Sequence, residues 1–584
     1  MSYDLMFKNA VAMHEAGQLD EAEAVYRQIL ETAPSQPDVL NLLGLIAQAK
    51  NANTEACSLF MQAIKGKPDE VSFYYNLAFS FKLLGKNAEA LEYFEKAIKL
   101  CPQVKEAYNE IALIKISNNE HEEARKYWQQ AISIDSKYVE AKANLAFSYK
   151  DENIGKAIDD LEKLAKEFAS ESLIFYYLTQ LYMQKNNWEK AWNSVVCAKN
   201  LNPASDEIRV LLALLSLHDD KKENAKIYFA KAEILNPNNI DALLGLADIN
   251  SQENNFEEAE KRYKRVLELD ANNFDAHNNY AEMLQRAKRT SEALEEYRNA
   301  VIINPKSAEV SNNLAMILKD LGEYDEALGL LFNALSYKPN LDEISINISE
   351  CLISLAEVDR KKACEIAENW IKSYSNNEFA RHMSSALKGE NIENNKVYAE
   401  KLFDHFADNY ELVIKNLDYS APMVMARIAG SLEGCIVDLG CGTGLVGEAL
   451  KNNRNKLIGV DISQKMLDIA KNKGVYEKLV QSDIVEYLQN NNDFDWVVAA
   501  DALGYIGDIS EIIKSIKNKK ILLSIEISDE ESKYTIQPNG RYKHNPQYVE
   551  NLLIDNGFDD ITKECFVLRT ENGKPVNGMI FKGE

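Results

Sequence analysis

A chain of 584 residues is too long for one hydrophobic core and is expected to hold at least two domains. Its composition, 46% apolar and 27% charged with 12 prolines, is that of an ordinary globular protein, and it excludes a low-complexity or collagen-like chain. The formal charge of −25 sets an average field that repels DNA and RNA, so a basic or neutral partner ranks above nucleic acid.

No apolar run approaches the roughly 18 residues that cross a bilayer, so no membrane partner is expected. The first residues, MSYDLMFKNA, lack a basic stretch followed by an apolar one, and no signal peptide is read there. The eight cysteines form no CxxC pair, which argues against a disulfide framework and a zinc site and suits reduced thiols in a cytoplasm; no metal is expected.

The first two thirds is one unit repeated. Pro34, Pro68 and Pro102 are 34 residues apart, as are Pro203 and Pro237, and Pro305 and Pro339. In step with them run Ala56, Ala90, Ala124, Ala191, Ala225, Ala259, Ala293 and Ala327, each followed four residues on by a large side chain such as Phe60, Phe94, Trp128 or Tyr297. A fixed period of this length signals a stacked array. In the copy at residues 71–104, Leu77, Ala78 and Phe81 mark the inner face of a first helix, which Gly85 closes. Ala90, Phe94 and Ala97 share one face of a second helix, and Pro102 stops it. One such hairpin cannot bury its own face; a stack can.

These small, aromatic and proline positions resemble the tetratricopeptide repeat. Ten units are read from residue 3 to 341, with one residue missing in the fifth near residues 151–155, and capping helices to 388 complete an all-α superhelical solenoid. The resemblance implies a peptide- or protein-binding groove lined by the first helices. One position on those helices repeatedly carries asparagine, at Asn76, Asn144, Asn279, Asn313 and Asn347. An amide can donate to and accept from an extended peptide backbone, so these are candidate peptide-binding residues; a merely solvated face is the alternative.

Residues 389–396 read as a polar linker, and residues 397–584 as an α/β domain. Helical text comes first, and then the short apolar runs CIVDLG, KLIGVD, KLVQSD, DWVVAAD and KKILLSIEI alternate with helical patterns, as in a mostly parallel sheet covered by helices on both faces. The first run enters a turn with glycines at two-residue spacing, Gly440, Gly442 and Gly444, preceded by Asp438. Glycines there let a ligand lie against the backbone at the carboxyl edge of the sheet. Asp461 ends the second strand, where a carboxylate accepts both hydroxyls of a ribose, whether the nucleoside belongs to a dinucleotide or to another cofactor. Asp483 ends the third strand beside Ile484, and Asp501 ends the fourth.

The spacing GCGTG after an aspartate resembles the first motif of class I S-adenosylmethionine-dependent methyltransferases, with a Rossmann-like seven-stranded sheet, rather than the GxGxxG of dinucleotide domains. The whole chain, in domain order as well, resembles bacterial methyltransferases that carry tetratricopeptide repeats at their N-terminus; the matching pieces include FDHFADNYE, LDYSAP, LIGVDISQKMLDIA, ADALGYIGDI and GRYKHNPQYVENLLIDNGF. The resemblance implies S-adenosylmethionine as cofactor, held by Asp438, Gly440, Gly442, Gly444, Asp461, Ile462, Met466, Asp483, Ile484 and Asp501, with Phe403 and Tyr410 closing over it. The resemblance does not name the acceptor; the leading reading is a protein or peptide captured by the repeats and brought to the crevice. A small-molecule acceptor, with the repeats docking the enzyme elsewhere, and a non-catalytic scaffold are the other readings.

Methyl transfer needs alignment and dryness more than it needs a base, which is required only for a protonated acceptor. Candidate catalytic groups are Tyr505, near the fourth strand's end, and Tyr542 and His544 of GRYKH, with Arg541 beside them; the same cluster could equally be a structural loop. Glu526, after the fifth strand, is an acid of unassigned role.

Overall fold

The computed structural model describes residues 3–392, 396–571 and 573–583. Packing divides the chain into two compact units, Met1–Ala271 and Asn272–Glu584, and the division falls inside the repeats. Part of the linker read at 389–396, residues 393–395, lies outside the described residues.

The first unit is built of antiparallel helix pairs. In the pair Val71–Leu83 and Asn87–Leu100, Gly85 turns at φ 72° and the Lys86 amide bonds back to the Phe81 carbonyl at 2.9 Å. Elsewhere in this unit the same left-handed position is filled by Asn51, Asn119, Asn186, Asp220 and Asn254, side chains that tolerate it better than most. Ala90, Phe94 and Ala97 are fully buried, so the alanine–aromatic–alanine face is the seam between helices. Small residues on the first helices receive the aromatics: a Cβ on Gly44 would lie 2.6 Å from the Phe60 ring, and one on Gly245 2.4 Å from Phe229. In the fifth repeat the first helix shrinks to nine residues, Val139–Phe147, which absorbs the missing position.

The second unit begins with the pairs Phe274–Arg286/Thr290–Ile303 and Ala308–Asp320/Tyr324–Tyr337. The helix Asp342–Ser373 breaks at Asp359 (φ −144°, ψ 83°), and Glu378–Lys388 ends in Gly389 at φ 77°. Helices Lys396–Phe406, Tyr410–Asn416 and Ala421–Ala429 then lead into the sheet.

The strands are β1 (Gly434–Leu439), β2 (Asn455–Asp461), β3 (Lys478–Gln481), β4 (Trp496–Ala499), β5 (Lys520–Glu526), β6 (Tyr534–Ile536), β7 (Tyr542–His544), β8 (Ile561–Glu571) and β9 (Lys574–Gly583). Seven of them form one sheet in the order β3-β2-β1-β4-β5-β9-β8; β6 and β7 make a separate hairpin. The pairs among β1 to β5 are parallel, and β9 runs antiparallel to both β5 and β8. Val437, Val497 and Leu523 pack on one face, and Ile436, Val498 and Leu522 on the other, so the central strands are buried on both sides. Strand order reverses between β1 and β4, and that switch point opens a crevice beyond their carboxyl ends.

Candidate active site

The crevice is a cavity of about 310 Å³. The β1 turn contributes Gly440 and Gly442, β2 ends in Asp461 followed by Ile462, β3 leads to Asp483 and Ile484, and β4 leads to Asp501. Met466 comes from the helix after β2. Phe403 and Tyr410 line the cavity from the first two of the three helices that lead into the sheet, and the Phe403 ring meets Tyr505 edge-on at 4.9 Å. Both glycines hold positive φ, 66° and 53°, which favours a residue without Cβ. A Cβ on Gly442 would meet nothing within 4 Å, so that backbone faces open space.

Asp461 organises this half of the site. Its Oδ2 accepts the Gly442 amide at 2.8 Å and its Oδ1 the Ser463 amide at 2.9 Å, tying the β1 turn to the end of β2. Burial pushes this carboxyl up, and the backbone amides pull it back. Asp483 caps the helix Ile484–Asn490 through the Glu486 amide and pairs with Lys396 at 3.0 Å. An open glycine backbone between a buried carboxylate and the apolar Ile462 and Ile484 fits a nucleoside cofactor.

Two of the residues expected at the cofactor stand back from the cavity. Gly444 (φ 89°) caps the helix Leu445–Leu450 and packs against Tyr476. Asp438 is buried behind the turn and accepts the Tyr476 hydroxyl at 2.6 Å. Burial pushes Asp438 up to about 7, against the pull of that hydroxyl. An unfolded aspartate titrates near ~3.9, so the folded chain holds this proton more tightly, and stability falls as pH rises from about 4 through about 7. Asp438→Asn, whose amide oxygen still accepts from Tyr476, is expected to flatten that part of the stability–pH curve in urea unfolding; an unchanged slope would refute the shift.

Of the three candidate catalytic side chains, Tyr505 alone lines the cavity. The Tyr542 hydroxyl accepts the Ile392 amide at 3.0 Å. The His544 ring is buried with Nε2 3.0 Å from the Gly507 carbonyl, and burial lowers its pKa. Both belong to the β6–β7 hairpin, and neither lines the cavity.

Arg541 is different. Its guanidinium lines the cavity, bonds Asp501 and lies 4.6 Å from the centre of the Tyr505 ring. Arg569 of β8 adds a second guanidinium, 2.8 Å from Glu526, 3.4 Å from Asp501 and 2.5 Å from Glu571. Asp501 itself sits at φ 58°, an uncommon conformation for a residue with a Cβ. Burial pushes the Asp501 carboxyl up while Arg541 and Arg569 pull it back; Glu526, despite its burial, is held below the usual carboxylate range by the same two guanidiniums. Phe406, Val413, Ile414, Leu417 and Tyr419 complete an apolar wall. Sequence reasoning missed Arg569, Glu571 and this wall; Tyr419 lies in the LDYSAP segment, which was its one available signal.

A methyltransferase-domain family model matches residues 436–519, spanning β1 to the turn before β5. Tetratricopeptide-repeat models match residues 14–71, 71–104, 105–138, 244–308 and 284–343. The chain joins tetratricopeptide repeats to a methyltransferase domain. Ubiquinone biosynthesis O-methyltransferase of Coxiella burnetii is 32% identical over 84 residues, 14% of this chain and 36% of the relative. Magnesium-protoporphyrin O-methyltransferase of Rhodobacter capsulatus is 32% identical over 101 residues, 16% of this chain and 44% of the relative. The chain thus spans less than half the length of these curated relatives. A tetratricopeptide repeat protein from Parabacteroides merdae is 20% identical, covering 42% of this chain and 97% of its own, with a TM-score of 0.39. Among the described residues no helix is long and apolar enough to cross a membrane.

Proposed function

We propose that the chain transfers a methyl group from S-adenosylmethionine to a protein or peptide captured by the repeats. The observation that carries this reading is the convergence of Gly440, Gly442, Asp461, Ile462, Met466, Asp483, Ile484 and Asp501 on one cavity. Bound there, S-adenosylmethionine supplies an electrophilic methyl. Asp461 would take the ribose, Ile462 and Ile484 would flank the adenine, and Phe403 with Tyr410 would cover the cofactor. The apolar wall excludes water, and Tyr505, Arg541 and Asp501 bound the space left for an acceptor, so that positioning carries much of the rate.

That wall also favours a second reading, a small apolar acceptor. The relatives' names, ubiquinone biosynthesis and magnesium-protoporphyrin O-methyltransferase, lean the same way.

Asn144 and Asn347 bear on the first reading. Both are buried, and their amides donate to Asn109 at 3.0 Å and Asn312 at 2.7 Å, which stitches neighbouring first helices together. Asn76 donates to Asn41 at 2.9 Å. Within the second unit, a peptide cradle would then rest on the half-buried Asn279 and Asn313, where the peptide would compete with Tyr297 for the Asn313 amide.

Isothermal titration of the full chain with S-adenosylhomocysteine, beside NAD, is expected to give micromolar binding of the first and none of the second. Methyl-labelled cofactor added to a cell extract should then place label in acid-precipitable material; label in the soluble fraction would favour the small acceptor. Absence of S-adenosylhomocysteine binding would overturn the enzyme reading and leave a scaffold.

A further inference from the structure

Arg541 reaches the cavity from the turn between β6 and β7. That turn is closed on itself: the Gly540 amide donates to the Gln537 carbonyl, and the Gln537 amide to the Arg541 carbonyl, each at 2.8 Å. Gly540 stands at φ 78°. What meets its carbonyl comes from the end of the repeat array.

His382, on the helix Glu378–Lys388, places Nε2 3.1 Å from the Gly540 carbonyl oxygen. The imidazole is 1% exposed and stacks on Tyr398 with centroids 3.6 Å apart and planes 9° from parallel. Phe379 of the same helix meets Tyr398 edge-on at 5.2 Å. Ala386 packs with Ile536 and Tyr542, and Ile392 packs against them. A Cβ on Gly540 would sit 2.4 Å from His382 Nε2, so the imidazole lies directly against the bare Gly540 backbone. Burial takes His382 down to about 4, so the ring is neutral at physiological pH. A neutral ring carries one N–H. The carbonyl acceptor assigns it to Nε2, which leaves Nδ1, without a partner among the described residues, as the bare nitrogen.

One residue beyond Gly540, Arg541 bonds Asp501 and Glu526 and faces Tyr505. A continuous path therefore runs from the last repeat helix through His382, Gly540 and Arg541 to the end of β4. Both ends lie in the same compact unit, Asn272–Glu584.

We propose that His382 is a positioning residue for the methyl-transfer site: its bond to the Gly540 carbonyl sets the turn that aims Arg541 at Asp501 and Tyr505, making the end of the repeat array a working part of the site. The inference rests on the methyltransferase reading above. It gives the array a role beyond capture, because a partner that shifts the last repeats would shift Arg541 with them.

The test uses the full chain as wild type, His382→Ala and His382→Gln. The glutamine amide can donate to the same carbonyl. Affinity for S-adenosylhomocysteine should stay within about twofold in both variants, because Gly440, Gly442 and Asp461 are untouched. Hydrogen exchange across residues 537–544 should quicken by about tenfold in His382→Ala and stay near wild type in His382→Gln. Methyl transfer from labelled S-adenosylmethionine in cell extract should fall by roughly ten- to a hundredfold in the alanine variant and recover in the glutamine variant. Gly540→Ala, whose methyl collides with His382, should reproduce the alanine pattern with the histidine itself unchanged in sequence. Wild-type exchange at 537–544 in His382→Ala overturns the proposal, as does methyl transfer that is undiminished there or not restored by glutamine. Failure of the wild-type chain to bind S-adenosylhomocysteine is a separate result, which overturns the methyltransferase reading and this inference with it.

Discussion

Asp461→Ala is expected to weaken S-adenosylhomocysteine binding by at least about a hundredfold, because one side chain does two jobs in the same pocket. Its oxygens satisfy the amides of Gly442 and Ser463, so alanine leaves two N–H groups without their acceptor beside the very turn that must receive the ligand. Each unsatisfied buried donor costs about 1–3 kcal/mol, and the turn is free to relax away from φ 53° at Gly442. The second loss is the charged acceptor proposed for the ribose hydroxyls, worth about 1.5–3 kcal/mol per bond. Asp461→Asn should fall between wild type and alanine, since it keeps the shape but turns one oxygen into a donor facing a backbone N–H. Isothermal titration separates the three proteins. Alanine binding within about threefold of wild type would remove Asp461, and with it the proposed orientation of the nucleoside, from the site.

What could be read in the sequence follows from how local each constraint is. Gly440 and Gly442 were legible because a tight turn after a strand takes positive φ, a demand met within a few residues of chain. Asp461, Asp483 and Asp501 were legible because strand ends in a parallel sheet fall on one edge whatever the loops between them do. The repeats were legible because every error in phase would bury a polar face. Arg569 and Glu571 were invisible for the opposite reason. They reach the cavity only because β9 inserts antiparallel beside β5 and carries β8 with it, a pairing that no local pattern announces. His382 lay in what reads as a capping stretch, 158 residues from its partner Gly540. His544 attracted attention as a rare titratable group. Its neighbours in the fold, above all the Gly507 carbonyl, turn it into a buried strut. Asparagine identity alone could not tell an amide facing a groove from one spent on the next repeat, as at Asn144 and Asn347.

Arg569→Met should produce the largest loss of stability of any single change in the site, about 3–5 kcal/mol, because it strands charge rather than removing packing. Glu526 is 3% exposed and takes its 2.8 Å bond from Arg569; Arg541, at 3.4 Å, and Lys543, at 3.7 Å, are poorer partners. Asp501 loses one of its two guanidiniums at the same time. The buried pair need not itself be a net source of stability. Two ions taken out of water repay their desolvation only with good geometry, and an apolar pair of similar size does as well. Arg569→Met combined with Glu526→Leu should therefore recover most of the stability lost by Arg569→Met alone, a coupling that only residues in contact can show. Catalysis should not recover with it, since the cavity wall would keep Arg541 and Asp501 but lose the second guanidinium that fixes them. The chain holds two compact units, so a single melting temperature is not the right measure. Native-state hydrogen exchange in β5 and β8 reports the relevant opening. Protection in the double variant equal to that of Arg569→Met would show that the arginine stabilises by packing. Methyl transfer restored along with protection would show that the Arg569–Glu526 pair serves only the fold.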